Sequence, residues 1–351
     1  MIDIEQLLWG MTPEGEALIC YTMRNAAGAE VRLTNFGATV LGISTPDREG
    51  KVEDVVLGYK SVEDYRQDSA WMGRCVGRCA GRIAMGRMTI DGEMITLDRN
   101  EGRNHINGGV AGFGDRLWES RVETNRVVMS LRSEDGDQHY PGNLNVEVAF
   151  DFDDDNSFEI TYLAQSSSKT VVNLTHSIYL NLKGESAGNV LDHELRLNSL
   201  QAPEINLMQI PTGQMLPTKG TPQDFTEFRT LGAGIEADYN NIANLNGYDH
   251  PFAISGYKSG ILSEVGELRC PQSGRTLQIL SSNPCVVVNT ANFLTGSCPS
   301  SKSDCKYQDH DGVAISCQHF PDAVNHPEFP SPILEAGAMY CQKTVYKFGT
   351  Y

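Results

Sequence analysis

Short runs of alternating apolar and polar residues, separated by turn sequences, recur along most of this chain. Such alternation puts the apolar side chains of a strand on one face, whereas a helix needs a period of about 3.6 residues. The clearest pair of runs, Met88–Ile90 and Met94–Leu97, flanks Asp91-Gly92, and Asp-Gly between two such runs is a strong hairpin signal. The pattern predicts an all-β fold, a large antiparallel β-sandwich with a few short helices. The same pattern occurs in further runs: Ala17–Met23, Glu30–Leu33, Val127–Leu131, Val146–Phe152, Phe158–Leu163, Glu267–Cys270 and Thr276–Leu280.

Helical periodicity is scarce, and Val62–Gln67 is the one stretch where we expect a short helix. The 34 glycines and 15 prolines are spread evenly, so we predict a single domain over residues 1–351. The polar, cysteine-containing segment Ser297–Asp311 is expected to be a mobile insertion that could act as a lid.

Charge and composition exclude several classes of partner. A net charge of −17 argues against nucleic acids and anionic membranes, which need a basic surface. There is no run of about 18 apolar residues and no signal-peptide pattern at the start of the sequence, so we expect a cytoplasmic protein. The nine cysteines are odd in number and lack zinc-ligand spacing, which favours reduced thiols and no metal. A neutral small molecule remains compatible with this composition.

The segment Asn104–Trp118, NHINGGVAGFGDRLW, has the strongest functional signal. Paired glycines let the backbone adopt positive φ or approach a ligand closely, and the polar residues before them would face that space. The segment closely resembles the N-x-L-H-G-G-x-x-G-F-x-x-x-x-W signature of the galactose mutarotase (aldose 1-epimerase) family. Asn107 stands where that family has a catalytic histidine.

The resemblance extends over nearly the whole chain, with the motifs in the family's order and spacing. It implies the galactose mutarotase-like supersandwich fold, no cofactor, and a monosaccharide partner. The family interconverts the α and β anomers of aldohexoses in an open cleft. The other matching segments are LTNFGATVL at Leu33–Leu41, VGRCAGRIAMG at Val76–Gly86, DGDQHYPGNL at Asp135–Leu144, VNLTHSIYLNL at Val172–Leu182, IPTGQMLPTKGTPQDF at Ile210–Phe225, GYDHPF at Gly247–Phe252 and FPDAVNHPEFP at Phe320–Pro330.

Mutarotation requires a base at the anomeric hydroxyl and an acid at the ring oxygen. The resemblance implies a glutamate base, a histidine acid, a second histidine, and an arginine and an aspartate that hold sugar hydroxyls. Arg82 matches this arginine, and its planar guanidinium suits neighbouring hydroxyls. Asp249 matches the aspartate, whose carboxylate can accept two hydrogen bonds. Gly81 replaces a family asparagine, so one sugar contact is lost.

The positions that would move protons are altered. Asn107 occupies the acid position and Ser316 the base position, and neither side chain exchanges protons unaided near neutral pH. At the second histidine position, an ungapped match places Ser177, with His176 one residue early. Only a bulge would turn His176 into the cleft, because a one-residue shift reverses the face of a strand. Asn283 replaces a family glutamine, which is a milder change.

Two main hypotheses follow. One is an aldose 1-epimerase relative that binds an aldohexose, with weak activity through rearranged groups such as His176, His105 or Asp309–Asp311. The other is a catalytically inactive carbohydrate-binding or regulatory protein on the same fold. A phosphorylated substrate is disfavoured because the chain has no basic cluster, and a hydrolase centred on Ser316 or Ser177 lacks a nucleophile elbow. The sequence indicates no particular oligomeric state.

Overall fold

The computed structural model describes residues 2–351, and most of its regular structure is antiparallel β-strand. The strands, numbered in chain order, are β1 Asp3–Met11, β2 Ala17–Arg24, β3 Glu30–Thr34, β4 Thr39–Pro46, β5 Val52–Asp54, β6 Cys75–Val76, β7 Arg82–Ile83, β8 Arg87–Ile90, β9 Glu93–Thr96, β10 His105–Ile106, β11 Glu119–Glu123, β12 Arg126–Ser133, β13 Leu144–Phe152, β14 Ser157–Ser166, β15 Thr170–Val171, β16 Thr175–His176, β17 Tyr179–Leu180, β18 Glu194–Leu197, β19 Gln201–Ile205, β20 Pro211–Pro217, β21 Arg229–Thr230, β22 Asp249–Ala253, β23 Ser263–Arg269, β24 Arg275–Ser281, β25 Cys285–Asn289, β26 Val313–Gln318, β27 Ile333–Leu334 and β28 Met339–Thr350.

Three larger sheets organise these strands. A nine-stranded sheet has the order β11-β12-β13-β14-β28-β24-β23-β18-β21, a five-stranded sheet runs β1 to β5, and a four-stranded sheet has the order β17-β26-β25-β22. The predicted hairpins form, including β8–β9 around Asp91-Gly92, β13–β14 and β23–β24. The sequence prediction of an all-β antiparallel fold is therefore confirmed.

The main apolar core joins the three sheets. One cluster of buried side chains contains Val31 from the five-stranded sheet, Val148 and Ile160 from the nine-stranded sheet, and Val288 and Ile315 from the four-stranded sheet. Each of these residues is at most 2% exposed. Burying one face of every sheet in this way fixes strand register, because a slip of one residue would expose the apolar set.

Helical structure is limited to short elements. The predicted helix is present as α1, Val62–Gln67, and a capping box starts it: the Asp64 N–H donates to Ser61 Oγ and the Asp64 carboxylate accepts from the Ser61 N–H. None of the helices in residues 2–351 is long and apolar enough to span a lipid bilayer. The 3₁₀ turns are Ala84–Gly86, Phe113–Asp115, Asp137–His139, Leu231–Gly234, Ala243–Leu245 and Ala323–Asn325.

The segment Ser297–Asp311, predicted to be a mobile insertion, is bonded to the rest of the protein. Lys302 Nζ lies 2.7 Å from the carbonyl oxygen of Leu41 and 2.7 Å from the Asp54 carboxylate. The Tyr307 hydroxyl is buried and donates to the carboxylate of Glu185. These contacts with β4, β5 and Glu185 hold the segment against the rest of the protein, so the structure does not support a mobile lid.

The Gly108-Gly109 turn follows β10 and is tightly enclosed. Gly108 has φ +84°, and a Cβ atom added there would lie 1.8 Å from the carbonyl oxygen of Gly77. Gly136 has a similar φ of +80°, but no atom lies within 4 Å of its added Cβ. An alanine at Gly136 would therefore meet the cost of positive φ alone, whereas an alanine at Gly108 would also meet a steric clash.

We predict that Gly108→Ala lowers the free energy of unfolding by about 2–5 kcal/mol, because the left-handed backbone cost adds to a backbone clash. Gly136→Ala should lower it by only about 1–2 kcal/mol, since the backbone cost acts alone. Urea midpoints of the two variants and the parent provide the comparison. Equal losses in the two variants would contradict the close packing of Gly108 against Gly77.

Candidate active site

A cavity of about 300 Å³ lies on the face of the four-stranded sheet that points away from the core. Strands β17, β22, β25 and β26 supply its floor, while β7, the turn after β10 and the chain after α1 supply its walls. The lining residues include Trp71, Gly81, Arg82, Glu101, Asn107, Thr175, Ser177, Tyr179, Asp249, Val287, Asn289, Asn292, Phe293, Ala314, Ser316 and Gln318.

Strand alternation decides which side chains of β26 reach this cavity. Ser316 and Gln318 line it, whereas Ile315 and Cys317 belong to the apolar core. The Ser316 hydroxyl donates a hydrogen bond of 3.0 Å to the backbone carbonyl of His176. The base position predicted from sequence therefore faces the cavity with a neutral hydroxyl that is tied to the neighbouring strand.

Three charged side chains gather at one end of the cavity. Arg82 Nε and Nη2 each donate a hydrogen bond of 2.7 Å to the carboxylate oxygens of Glu101. Arg82 Nη1 lies 3.9 Å from Asp249 Oδ2. Among the lining residues, all of which fall in the described part of the chain, these three are the formally charged ones.

The backbone of Asp249 is held by its buried neighbour. The Asp249 N–H donates to His250 Nδ1 at 3.0 Å, and His250 Nε2 donates to the carbonyl oxygen of Asn240 at 2.7 Å. Burial lowers the pKa of His250, which favours the neutral imidazole that these two bonds require. His250 thus fixes the position of the Asp249 backbone.

Asn107 is fixed against the strand that carries Arg82. Its backbone N–H donates to the Gly81 carbonyl at 3.1 Å, and its Oδ1 accepts from the Gly81 N–H at 2.9 Å. Pairing of β10 with β7, Ile106 opposite Arg82, sets this approach. The acid position predicted from sequence therefore lines the cavity with an amide whose oxygen already has a backbone partner.

The bulge that would turn His176 into the cleft is absent, which corrects that alternative. Regular pairing of His176 with Cys75 sends the imidazole into the core, while Thr175 and Ser177 line the cavity. His176 Nε2 donates to the Ala38 carbonyl at 2.9 Å, so Nδ1, 2.7 Å from the Tyr162 hydroxyl, accepts. Burial lowers the pKa of His176 to about 4.

Asn283 also departs from expectation, because it does not line the cavity. It is fully buried behind β26, where its Nδ2 lies 3.2 Å from Ser281 Oγ and 3.4 Å from the carbonyl of Cys317. Ser281 Oγ also contacts the thiol of Cys317 on the core face of β26, so Asn283 lies on the core side of this strand. On β26, Gln318 is a carboxamide side chain that lines the cavity.

The other residues predicted for a rearranged site, His105 and Asp309–Asp311, lie outside the cavity lining. His105 Nδ1 is 2.7 Å from the carbonyl of Asp98, and its Nε2 is 2.7 Å from the Tyr140 hydroxyl, in a buried cluster. The Asp309 carboxylate accepts from the Thr295 N–H. Neither His105 nor any residue of Ser297–Asp311 lines the cavity.

Comparison with known proteins identifies the family. The aldose 1-epimerase family model matches residues 20–347. The chain is 34% identical to galactose mutarotase of Bos taurus over 348 residues, 99% of each chain. It is 34% identical to aldose 1-epimerase of Escherichia coli strain K12 over 341 residues, 96% of this chain and 97% of the other. The chain belongs to the aldose 1-epimerase family.

Solved structures agree with this assignment. A GalM/aldose epimerase homologue from C. elegans superposes with a TM-score of 0.85 at 27% identity, covering 100% of this chain and 99% of the other. Galactose 1-epimerase from Lactobacillus acidophilus also gives a TM-score of 0.85, at 25% identity and with the same coverage. The predicted galactose mutarotase-like fold is confirmed over the full length.

Within this aldose 1-epimerase fold, the sequence analysis missed several lining residues. Gln318 and Tyr179 lie two positions beyond Ser316 and Ser177, so strand alternation could have located both. Glu101 had no such signal, because a tight turn rather than a strand brings it to Arg82.

The chemistry available to this family member is restricted. The cavity lining, as far as residues 2–351 define it, contains no imidazole, and its one phenol, Tyr179, has a pKa raised by burial and by Asp249. No group of three or more His, Cys, Asp or Glu side chains in the described chain is placed to hold a metal ion. The lining is therefore rich in hydrogen-bonding groups and poor in groups that exchange protons near neutral pH.

Burial of neutral His176 predicts a pH-dependent stability. The folded protein has a pKa of about 4 at His176, against an ordinary histidine value of 6.5, so the unfolded chain binds the proton more readily. Stability is therefore retained above pH 6.5 and lost as the pH falls toward 4. His176→Gln should lower stability at neutral pH, but the difference from the parent should shrink as pH falls through this window. Urea midpoints measured across the window test this prediction.

His139→Gln is the matched control, because the His139 side chain is 58% exposed and lies 3.2 Å from the exposed carboxylate of Asp98, outside the core. It should retain the loss of stability below pH 6.5 that the burial of His176 causes. A constant stability difference between His176→Gln and the parent at all pH values would contradict the buried neutral imidazole.

Proposed function

We propose that this aldose 1-epimerase relative binds an aldohexose in the cavity on the four-stranded sheet and interconverts its anomers only weakly. The observation that carries the proposal is the contrast between Arg82 and Asp249, which lie together at the cavity, and the neutral side chains Asn107, Ser177 and Ser316. The groups matched to sugar binding are present, and those matched to proton transfer are absent.

The binding half of the proposal rests on complementarity to a polyhydroxylated ligand. Arg82 presents Nη1 to the cavity, and the nearby Asp249 carboxylate can accept from two hydroxyls. Asn289 and Gln318 add amide donors and acceptors. The exposed ring of Phe293 at the rim supplies an apolar surface for the C–H face of a sugar.

The catalytic half rests on what the family reaction needs. A positioned general acid or base contributes about 10²–10⁴ in rate, and both positions hold groups that cannot serve unaided. Losing both predicts a deficit of about 10⁴ or more, although such losses are not strictly additive. What remains is substrate positioning, with Tyr179 and the carboxylates of Glu101 and Asp249 as the titratable groups in the lining.

A second candidate function is a carbohydrate-binding or regulatory protein without turnover. The burial of His176 between Tyr162 and Ala38 favours it, because the imidazole that lies between the lining residues Thr175 and Ser177 in sequence is directed into the core. The two candidates share the binding step and differ in the rate of mutarotation alone.

We predict that the protein accelerates the polarimetric mutarotation of α-galactose or α-glucose about 10⁴-fold less than an ordinary family member. Asn107→His combined with Ser316→Glu should raise the rate at least about 100-fold, because both side chains line the cavity. Asn107→His with Ala314→Glu is the control, since Ala314 lies on the same strand face one pleat away and should not support the reaction. A parent rate close to that of an ordinary mutarotase would overturn the proposal of weak activity.

Binding is predicted to depend on the charged end of the cavity. Arg82→Met or Asp249→Asn should weaken aldohexose binding about tenfold or more, because each removes a charge-assisted hydrogen bond to a hydroxyl. Arg126→Met is the matched control, since Arg126 forms an ion pair with Asp151 on the surface, where its side chain is 46% exposed. Isothermal titration gives the dissociation constants. Unchanged affinity in both site variants would place the sugar elsewhere.

A further inference from the structure

Glu101 is a cavity residue for which the family resemblance supplied no role. Its backbone is held by a tight turn, with the Glu101 N–H donating to the Asn104 carbonyl at 3.1 Å and the Asn104 N–H donating back to the Glu101 carbonyl at 2.8 Å. Asn104 is itself buried, and its Oδ1 accepts from the Met85 N–H at 3.2 Å. The turn therefore presents the Glu101 carboxylate in a defined position.

The pairing with Glu101 sets the orientation of Arg82. Two of the three guanidinium nitrogens are used in the bidentate contact, each at 2.7 Å, which fixes the plane of the group. Nη1 is left, directed toward Asp249 at 3.9 Å. An anionic ligand would thus find the paired edge of Arg82 already occupied by a carboxylate.

The cavity lining carries more negative than positive formal charge. One guanidinium stands against two carboxylates, and the other lining residues carry no formal charge. The side chains of Arg82 and Asp249 are largely shielded from solvent, at 17% and 20% exposed, and the side chain of Glu101 is partly shielded, at 39% exposed. Charges so placed are screened less than those at the open surface. The cavity therefore presents a net negative charge to its ligand.

We propose that Glu101 is a specificity-determining residue that makes the cavity select neutral and amino aldohexoses against sugar acids. The proposal rests on the proposed function, sugar binding in this cavity, and extends it to a class of substrate. The two carboxylates attract the ammonium group of an amino sugar and repel the carboxylate of a uronate. Neutral sugars are accepted through hydroxyl contacts to Nη1 of Arg82 and to Asp249.

The experiment compares the parent with Glu101→Gln by isothermal titration with galactose, galactosamine and galacturonate, in a mildly acidic buffer that keeps the amine protonated. The parent should bind galacturonate about tenfold or more weakly than galactosamine. Glutamine keeps one acceptor for Arg82 but removes the charge and the second acceptor, so the galactose affinity of each variant serves as its own reference. Relative to that reference, Glu101→Gln should reduce the preference for galactosamine over galacturonate about tenfold.

Two further variants separate charge from structure. Glu101→Asp retains the carboxylate and should preserve the preference for galactosamine over galacturonate. Glu134→Gln removes a carboxylate whose ion pair with Arg132 is 65% and 64% exposed, and it should leave the preference unchanged. Thermal melting verifies that each variant is folded.

The outcomes are distinguishable. If galactose binds and Glu101→Gln has the same preference as the parent, or Glu101→Asp loses it, the role of Glu101 is overturned and the proposed function stands. If none of the three sugars binds the parent, the proposed function fails and this inference fails with it. A preference that depends on the charge at position 101 supports both.

Discussion

The two faces of the four-stranded sheet have opposite roles, and the period-two geometry of its strands makes both possible. On β26, Ile315 and Cys317 are 2% and 1% exposed within the core, so the strand cannot slip without exposing them. The side chains of Ser316 and Gln318 consequently face the cavity. Apolar packing on the reverse side of the sheet thus positions the part of the cavity lining that β26 supplies.

The same constraint explains why the His176 imidazole does not line the cavity. Its neighbours Thr175 and Ser177 take the cavity face of the strand, and the imidazole is left to pack in the core against Tyr162. Moving it to the cavity would require a bulge and would leave the Tyr162 hydroxyl buried without its partner, a cost of about 1–3 kcal/mol. In this chain His176 packs in the core, and the geometry of its strand keeps the imidazole away from the cavity.

Features encoded by a few consecutive residues were predictable from the sequence, whereas features that depend on contacts between distant segments were not. The strands, the Asp91-Gly92 hairpin and α1 were predictable, because alternation, turn residues and short-range capping are contained in a few consecutive residues. The positions of Ser177 and Ser316 likewise followed from alternation. Asn283 and Glu101 were not predictable, because their locations depend on how distant segments pack: one lies behind β26, and the other is carried to Arg82 by a turn.

The residues proposed to bind the sugar are held independently of the side chains at the positions matched to proton transfer. Arg82 is oriented by Glu101, and Asp249 is fixed through His250, so neither depends on the side chains at Asn107 or Ser316. The resemblance implies a catalytic carboxylate at the position of Ser316, and here the cavity carries a different carboxylate at Glu101. Each oxygen of that group accepts an N–H donor from Arg82, and this contact holds the carboxylate beside the guanidinium. A carboxylate held in this way contributes charge to the cavity and fixes the orientation of Arg82.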